Sequence, residues 1–276
     1  MPADLHIHTS FSDGTDSPES IVELSKSLGI NIIAITDHDT LDGILRAQEK
    51  GKEVGVEVIP GIEFTTETSK TEVHILGYFF DLNNCFLHKE LKKIQSERKR
   101  RIQSMVQKLN KLGININAEE VFAIAGNDSP GRPHVARALI KAGIVSSFKE
   151  AFDRYLGFHG PAYASHYKLS PFDAVKLIRG AGGVAVYAHP GLSNCDEIIP
   201  DMILAGLQGI EVFYPTHSVL QIKNYTGLSE KYNLLMTGGS DFHGVIAGRR
   251  ISLGGNAVPD ELAEKLRSAS EYLRRN

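Results

Sequence analysis

Asn31-Ile32-Ile33-Ala34-Ile35-Thr36 runs directly into Asp37-His38-Asp39. Four consecutive apolar residues, three of them isoleucine, read as a short strand buried on both faces. The three residues that follow carry chemistry rather than packing. Upstream, Ser17-Pro18-Glu19-Ser20 offers a capping hydroxyl and then proline at the first helical position; Ile21, Val22 and Leu24 follow, and Gly29 ends the segment. A helix, a buried strand and a charged strand end thus form one unit.

The unit recurs along the chain. Strands are expected at 4–8, 31–36, 56–60, 73–79, 183–188, 209–213 and 234–237, with helical stretches between them. Ser170-Pro171 repeats the helix start ahead of Phe172, Val175 and Ile178. Seven strands alternating with helices predict an α/β fold on a parallel sheet, either a closed barrel or an open doubly wound layer. One interval breaks the rhythm, because roughly a hundred residues separate the fourth and fifth strands where a simple crossover needs about 10–30. Leu87, Leu91, Ile94, Ile102, Met105, Val106 and Leu109 recur at helical spacing, which predicts one long helix over 87–112. Asn117 with Glu120 resembles a capping box for a second helix, and further helices are expected at 133–142 and 147–156. Residues 96–161 are read as a helical insertion on the rim of a barrel formed by 1–95 and 162–276.

Several classes are excluded by composition. The 276 residues are 42% hydrophobic, and 30 Lys+Arg against 33 Asp+Glu leave a formal charge of −3. That balance opposes bulk electrostatic binding of long nucleic acid. Two cysteines, Cys85 and Cys195, cannot form a disulfide framework. No apolar run approaches about 18 residues and no signal-peptide pattern opens the chain, so a cytoplasmic chain with no membrane role is expected, and no obligate protein partner is evident.

The eleven histidines decide the function. Leu5-His6-Ile7-His8 places two imidazoles on one face of a strand, where burial without partners would be costly. Ser12-Asp13-Gly14-Thr15 follows as a tight turn carrying a carboxylate. Val58-Ile59-Pro60-Gly61-Ile62 leads to Glu63, His74 lies within its strand, 184–188 ends at His189-Pro190, and 234–240 delivers Asp241-Phe242-His243. Six histidines and several carboxylates therefore lie in or just beyond predicted strands, whose ends open on one face of a parallel barrel. Imidazole with carboxylate suits Zn, Mn or Fe, and no nearby cysteine favours a structural zinc knot. Nine candidate ligands exceed the needs of one ion, so two or three are expected. His88 and His159 stand alone, the usual state of a surface or core histidine.

These residues resemble the PHP (polymerase and histidinol phosphatase) domain of metal-dependent phosphoesterases. The resemblance rests on LHIHTSFSDGT at 5–15, ITDHDT at 35–40, PGIEF at 60–64, EVHILGY at 72–78, AHPG at 188–191 and GSDFHG at 239–244. It implies a distorted seven-stranded (β/α)7 barrel with a trinuclear centre. By position His6, His8, Glu63 and Asp241 resemble the ligands of one ion. Asp13, His38 and His243 resemble those of a second, and His74, His189 and a bridging Glu63 those of a third. Asp16 stands where relatives more often carry a small or apolar residue, outside the ligand set.

GRPHVARALIKAG at 131–143 and YLGFHGPAY at 155–163 resemble the subgroup that hydrolyses nucleoside 3′,5′-bisphosphates, some members of which also trim short RNA from the 5′ end. Arg132 and His134, at a helix start after Pro130-Gly131, resemble its substrate-phosphate contacts, with His166 and Lys168 as further candidates. The expected reaction is hydrolysis of a phosphomonoester of a small nucleotide by metal-activated hydroxide, with Mn as the expected ion and Fe or Zn as alternatives. A 5′-to-3′ exoribonuclease on short RNA, a histidinol-phosphate phosphatase and a non-catalytic scaffold are the competing readings. The run Arg98-Lys99-Arg100-Arg101 would guide an RNA chain or form a solvated helix face. His217 and Asp39 are candidates for protonating the leaving group, and no general acid is assigned.

Overall fold

The computed structural model describes residues 2–126, 129–165, 169–244 and 252–275. Short β-branched segments become strands, and the amphipathic stretches between them become helices. In chain order these are β1 (Pro2–Ile7), α1 (Pro18–Ser27), β2 (Ile32–Ile35), α2 (Ile44–Val54), β3 (Glu57–Glu67) and β4 (Glu72–Tyr78). There follow α3 (Cys85–Lys111), α4 (Ala118–Ala125), α5 (Arg132–Lys141) and α6 (Phe148–Ala151), the last running into a π-helical turn at Phe152–Leu156. The chain then forms α7 (Pro171–Gly180), β5 (Val184–Tyr187), α8 (Pro190–Ser193), α9 (Ile199–Ala205) and β6 (Gly209–Phe213). The final elements are α10 (Val219–Tyr232), β7 (Leu235–Gly238), β8 (Val258–Pro259) and α11 (Asp260–Arg275). The expected capping signals act as read: Ser17 and Ser170 accept hydrogen bonds from the amides of Ser20 and Asp173. Asn117 accepts from the amide of Glu119, which is simpler than the expected capping box.

Among the described residues the strands form one sheet in the order β7-β6-β5-β4-β3-β2-β1-β8. The order gives eight strands rather than seven, because two-residue β8 adds antiparallel to the start of β1. A second difference concerns direction. β4 runs antiparallel to both β3 and β5, so the sheet is not wholly parallel. The cause is a hairpin. β3 is eleven residues long, pairing parallel with β2 up to Pro60 and antiparallel with β4 from Gly61 onward. Thr68 closes the reversal: its amide donates to the Thr71 carbonyl at 2.9 Å, and its hydroxyl accepts from the amides of Lys70 and Thr71.

The sheet curls until its ends meet. Ile7 bridges Phe242 in parallel, the His8 amide donates to the Phe242 carbonyl at 2.9 Å, and the Asp241 amide donates to the His6 carbonyl at 2.9 Å. Asp4 locks the seam from inside, its carboxylate accepting from the amides of Ser240 at 2.9 Å and Gly254 at 2.8 Å. Burial pushes the Asp4 carboxyl upward, and these hydrogen bonds oppose it.

Period-2 alternation splits the strand residues between two faces. Ile33, Ile35, Ile62, Phe64, Val73 and Ile75 pack outward with Ile21, Val22, Ile44, Val175 and Ile178 of the surrounding helices. Ala34, Ile59, Leu76, Tyr78, Val184 and Val186 pack on the other face with Ala263 and Leu266 of α11, which plugs one end. A separate cluster joins Ile102, Met105 and Leu109 of α3 to Val121, Val135, Leu139 and Leu156. The long helix therefore begins against the sheet and ends among α4, α5 and the π-helical turn.

Replacing Asp4 by alanine should strand the buried Ser240 amide and the half-buried Gly254 amide, at roughly 1–3 kcal/mol each and less for the second. Urea unfolding should show a loss of about 2–4 kcal/mol, and a variant as stable as the wild type would remove the seam from the account.

Candidate metal centre

The strand ends carry a ring of imidazoles. His6 and His8 on β1 stand two residues apart, with ring centroids 5.2 Å apart; His8 lies 4.6 Å from His38, His38 5.2 Å from His74, and His74 5.1 Å from His189. His189 closes the ring onto His6 at 5.7 Å, and His243 stacks on His8 at 4.2 Å. Alternation along β3 sends Ile59, Gly61 and Glu63 to one face, and Glu63 enters the middle of the ring. The antiparallel β4 brings His74 into reach from the opposite direction.

Local backbone is strained to aim these groups. Asp39, His189 and Asp241 hold φ of 52°, 27° and 52°, a region that costs L-residues about 1–3 kcal/mol each and persists where surrounding structure over-determines it. Close backbone approach is also needed. A Cβ on Gly239 would stand 2.4 Å from the His6 amide nitrogen, and one on Gly14 would stand 2.5 Å from the His8 carbonyl oxygen.

Three overlapping groups result: His6, His8, Glu63 and Asp241; His8, Asp13, His38 and His243; and His38, Glu63 and His74. In the first, His8 Nε2 is 3.1 Å from His6 Nε2, 3.1 Å from Glu63 Oε2 and 3.3 Å from Asp241 Oδ1, and His6 Nε2 is 3.4 Å from Glu63 Oε2. Ligands about 2.0–2.2 Å from one ion stand about 3.0–3.5 Å apart at tetrahedral or octahedral angles, so the donor set fits a divalent cation. In the second, His243 Nε2 is 3.2 Å and His38 Nε2 4.0 Å from the Asp13 carboxylate. In the third, His74 Nδ1 approaches Glu63 Oε1 at 2.8 Å; His189, outside the three groups, brings its Nε2 to 2.9 Å from the same oxygen. His189 Nδ1, the ring nitrogen turned from Glu63, is buried without a hydrogen-bond partner among the described residues. All nine predicted ligand residues thus lie in one cluster.

The charges suit cation binding. Glu63, 1% exposed, is held well below the usual carboxylate range against burial by His38, His74 and His6. Asp13 is likewise held low, against burial, by His243 and His38. Burial opposes protonation of His8, yet hydrogen bonds with Asp241 and Glu63 carry it to about 10. Burial, with the neighbouring His8 and His74, pushes His38 well down against the pull of Glu63 and Asp13. Without ions, protons on some histidines balance the carboxylates.

Supporting contacts fix the ligands. Glu211, fully buried on β6, binds His6 Nδ1 at 2.9 Å with one oxygen and accepts the His189 amide at 2.7 Å with the other. Tyr214 donates to Asp241 Oδ2 at 2.8 Å. Asp37 accepts from the Thr9 amide at 2.7 Å and the Ser12 hydroxyl, holding the turn that presents Asp13. A carboxylate inside an otherwise apolar strand (Gly209-Ile210-Glu211-Val212) was the available signal for Glu211.

A cleft of about 270 Å³ opens beside the cluster, lined by His38, Glu63, His74 and His189 together with Arg98, Arg101, Arg132 and Phe158. Arg132 lies over the rings of Phe152 and Tyr163 at 5.2 and 5.8 Å and pairs with Glu72. The basic run is split by helix geometry. Arg98 and Arg101 are buried, pairing with Asp39 and Glu72, whereas Arg100 is solvent-exposed and pairs with Glu97. Their i, i+3 spacing, in phase with Ile94, Ile102 and Met105, carried that information.

His134 does not line the cleft. It is buried, its Nδ1 accepts the Gly131 amide at 2.9 Å, and it bonds the Ser12 backbone. The geometry gives it a holding role. His166 and Lys168 lie outside the described residues. His217 has both ring nitrogens engaged, by the Val212 carbonyl and the Gly191 amide. The Asp39 carboxylate accepts from Arg98 Nε at 2.6 Å, which occupies it as an ion-pair partner. Neither is free to serve as a proton donor.

The PHP domain model matches residues 4–235. The chain is 33% identical over 245 residues to a 5′-3′ exoribonuclease of Haemophilus influenzae, covering 87% of this chain and 89% of the relative. It is 32% identical over 246 residues to a 3′,5′-nucleoside bisphosphate phosphatase of Chromobacterium violaceum, covering 87% and 86%. A Bifidobacterium adolescentis structure described provisionally as a metal-dependent phosphoesterase superposes with a TM-score of 0.89 at 32% identity, covering 97% and 96%.

Burial pulls His134 down to about 4, below its ordinary value of about 6.5. The unfolded chain therefore binds a proton that the folded chain refuses, and stability must fall as pH drops from about 6.5 toward 4. Urea unfolding at pH 7 and pH 4.5 should show His134→Gln losing about 2–3 kcal/mol less than the wild type over that interval. Equal losses would contradict the buried, neutral assignment.

Proposed function

The chain belongs to the PHP domain family and is a metal-dependent phosphoesterase, and on that premise we propose that it hydrolyses a phosphomonoester of nucleoside 3′,5′-bisphosphates. One observation carries the choice of substrate. A single cleft of about 270 Å³ is lined by members of the candidate cation-ligand cluster together with Arg98, Arg101 and Arg132. A phosphate at the cluster and a second at the guanidiniums match a substrate with two anionic groups a few ångströms apart. The cleft is near the small end of the roughly 300–1,000 Å³ typical of small-molecule sites, which favours a mononucleotide over a chain.

The nine ligand residues would hold two or three ions, with Glu63 shared between groups. Bound divalent ions supply charge neutralisation of the phosphate oxygens and lower the pKa of water. The chain's own residues provide the rest. Arg132, with its guanidinium over the rings of Phe152 and Tyr163, presents N–H donors to the second phosphate. Glu72 sits between Arg101 and Arg132 and fixes both head groups before substrate arrives. Phe158 and Leu192 give the cleft an apolar edge that can cover a base and restrict water. Tyr214 and Glu211 hold Asp241 and His6 in place throughout. Manganese is the ion we favour, and the same pocket would admit the 5′ end of a short RNA.

Phosphate release should be measured with Mn-loaded protein on adenosine 3′,5′-bisphosphate, a 5′-phosphorylated RNA oligomer and histidinol phosphate. The bisphosphate should be turned over with the highest kcat/KM. His6→Ala/His8→Ala should lower the rate at least about 10²–10³-fold, the size of losing a preorganised electrostatic group. Arg132→Ala should lower kcat/KM for the bisphosphate about 10–100-fold, matching a charged hydrogen bond of about 1.5–3 kcal/mol, and leave p-nitrophenyl phosphate nearly unaffected. Turnover of histidinol phosphate alone would overturn the substrate assignment.

A further inference from the structure

The two ligand groups that share His8 are supported by different parts of the molecule. His6 and Asp241 are braced from within the barrel, through Glu211 on β6 and Tyr214 just after it. Asp13 and His38, by contrast, sit on loops gripped from outside by the helical insertion. Arg137 on α5 donates to the Asp13 carbonyl at 2.6 Å. The Ser129 hydroxyl, just ahead of α5, donates to the His38 carbonyl. From α3, Gln95 Nε2 donates to the Asp39 carbonyl at 3.1 Å, and Arg98 Nε donates to the Asp39 carboxylate at 2.6 Å. His134 completes the grip at the Ser12 backbone.

These contacts take hold of main-chain groups of the ligand residues or of their immediate neighbours. Asp13 lies beyond the end of β1, and His38 lies beyond the end of β2. At His38 the ladder thins to one parallel bridge with Glu63, the Asp39 amide donating to the Glu63 carbonyl at 3.1 Å and the Glu63 amide to the Asp37 carbonyl at 3.3 Å. A ligand side chain is useful only if its donor atom stays within about 0.5 Å of the required place, and a carbonyl held by a guanidinium or hydroxyl supplies that constraint. Asp39 is also held in the left-handed region, φ 52°, which needs an external partner to persist. Arg98 Nη2 further donates to Thr65 Oγ1 at 2.7 Å, and that hydroxyl lies 3.2 Å from His38 Nδ1. The insertion therefore reaches the His38 ring as well as its backbone.

We propose that the helical insertion is the clamp of the Asp13–His38–His243 ion, with Arg137 and Ser129 as positioning residues that set its affinity. The inference rests on the metal-centre reading and is independent of which phosphate ester is cleaved. It makes the insertion part of cation binding as well as one wall of the substrate cleft. Loss of either residue should weaken one class of ion and spare the others.

The test is Mn²⁺ titration of the full chain, with free ion followed by electron paramagnetic resonance and bound ion counted by elemental analysis after dialysis. Arg137→Ala should retain fewer equivalents than the wild type, with one class of site weakened about 10–100-fold, the usual cost of losing a supporting contact to a ligand. Arg137→Lys should restore part of that affinity, because an ammonium can still donate to the Asp13 carbonyl. Glu211→Gln should weaken a different class. Circular dichroism and thermal unfolding identify a folded variant; should Arg137→Ala not fold, Ser129→Ala removes one hydroxyl and reads the same selective loss. Equal weakening of every class, or unchanged binding in Arg137→Ala and Ser129→Ala alike, would overturn the proposal. A wild-type chain that binds no Mn²⁺ would instead overturn the metal centre itself.

Discussion

The buried carboxylate of Glu63 is the constraint on which this structure depends. Five imidazoles bring a nitrogen within 3.4 Å of it: His74 at 2.8 Å, His189 at 2.9 Å, His8 and His38 at 3.1 Å, and His6 at 3.4 Å. An anion taken out of water requires compensating charge at close range. In the absence of cations that charge is protons, as the high position of His8 indicates. With cations it is the ions, and the imidazoles become neutral ligands. The same geometry therefore serves as a folded-state ion network and as a donor set.

Much of the barrel's irregularity follows from presenting groups to that carboxylate. A regular parallel barrel places side chains at strand ends on one rim. Here β4 is reversed, and its His74 meets Glu63 across the β3–β4 hairpin. The seam between β1 and the segment after β7 brings Asp241 and His243 beside His6 and His8, with Asp4 locking the join beneath them. Left-handed backbone at Asp39, His189 and Asp241 aims three loops at one point. The cost of these distortions is local, and the packed layers of the barrel's two apolar clusters absorb it.

The residue types at strand ends made most of the cluster legible in the sequence. His6-Ile7-His8 and Asp241-Phe242-His243 place polar side chains where a core-facing strand would put apolar ones, and the recurrence is independent of tertiary detail. The direction of β4 was not legible, since a four-residue link and a crossover leave the same alternating pattern within the strand. The supporting shell was harder still. Arg98 and Arg101 sit in a run whose composition reads as solvated, and only their phase with Ile94 and Met105 points inward. His134 resembled a phosphate contact because it opens a helix after glycine, yet it turns inward to the Gly131 amide. Function at such positions depends on which face of the helix meets the barrel, which is a property of packing.

Anomalous diffraction from crystals soaked in Mn²⁺ tests the central claim most directly. The account predicts at least two strong peaks about 3.5–4 Å apart, the spacing of paired catalytic ions, each within bonding distance of the Glu63 carboxylate. One should also contact His6 and Asp241, and Glu63→Gln should abolish or displace both. Ions bound elsewhere on the chain, with no density beside Glu63, would contradict it.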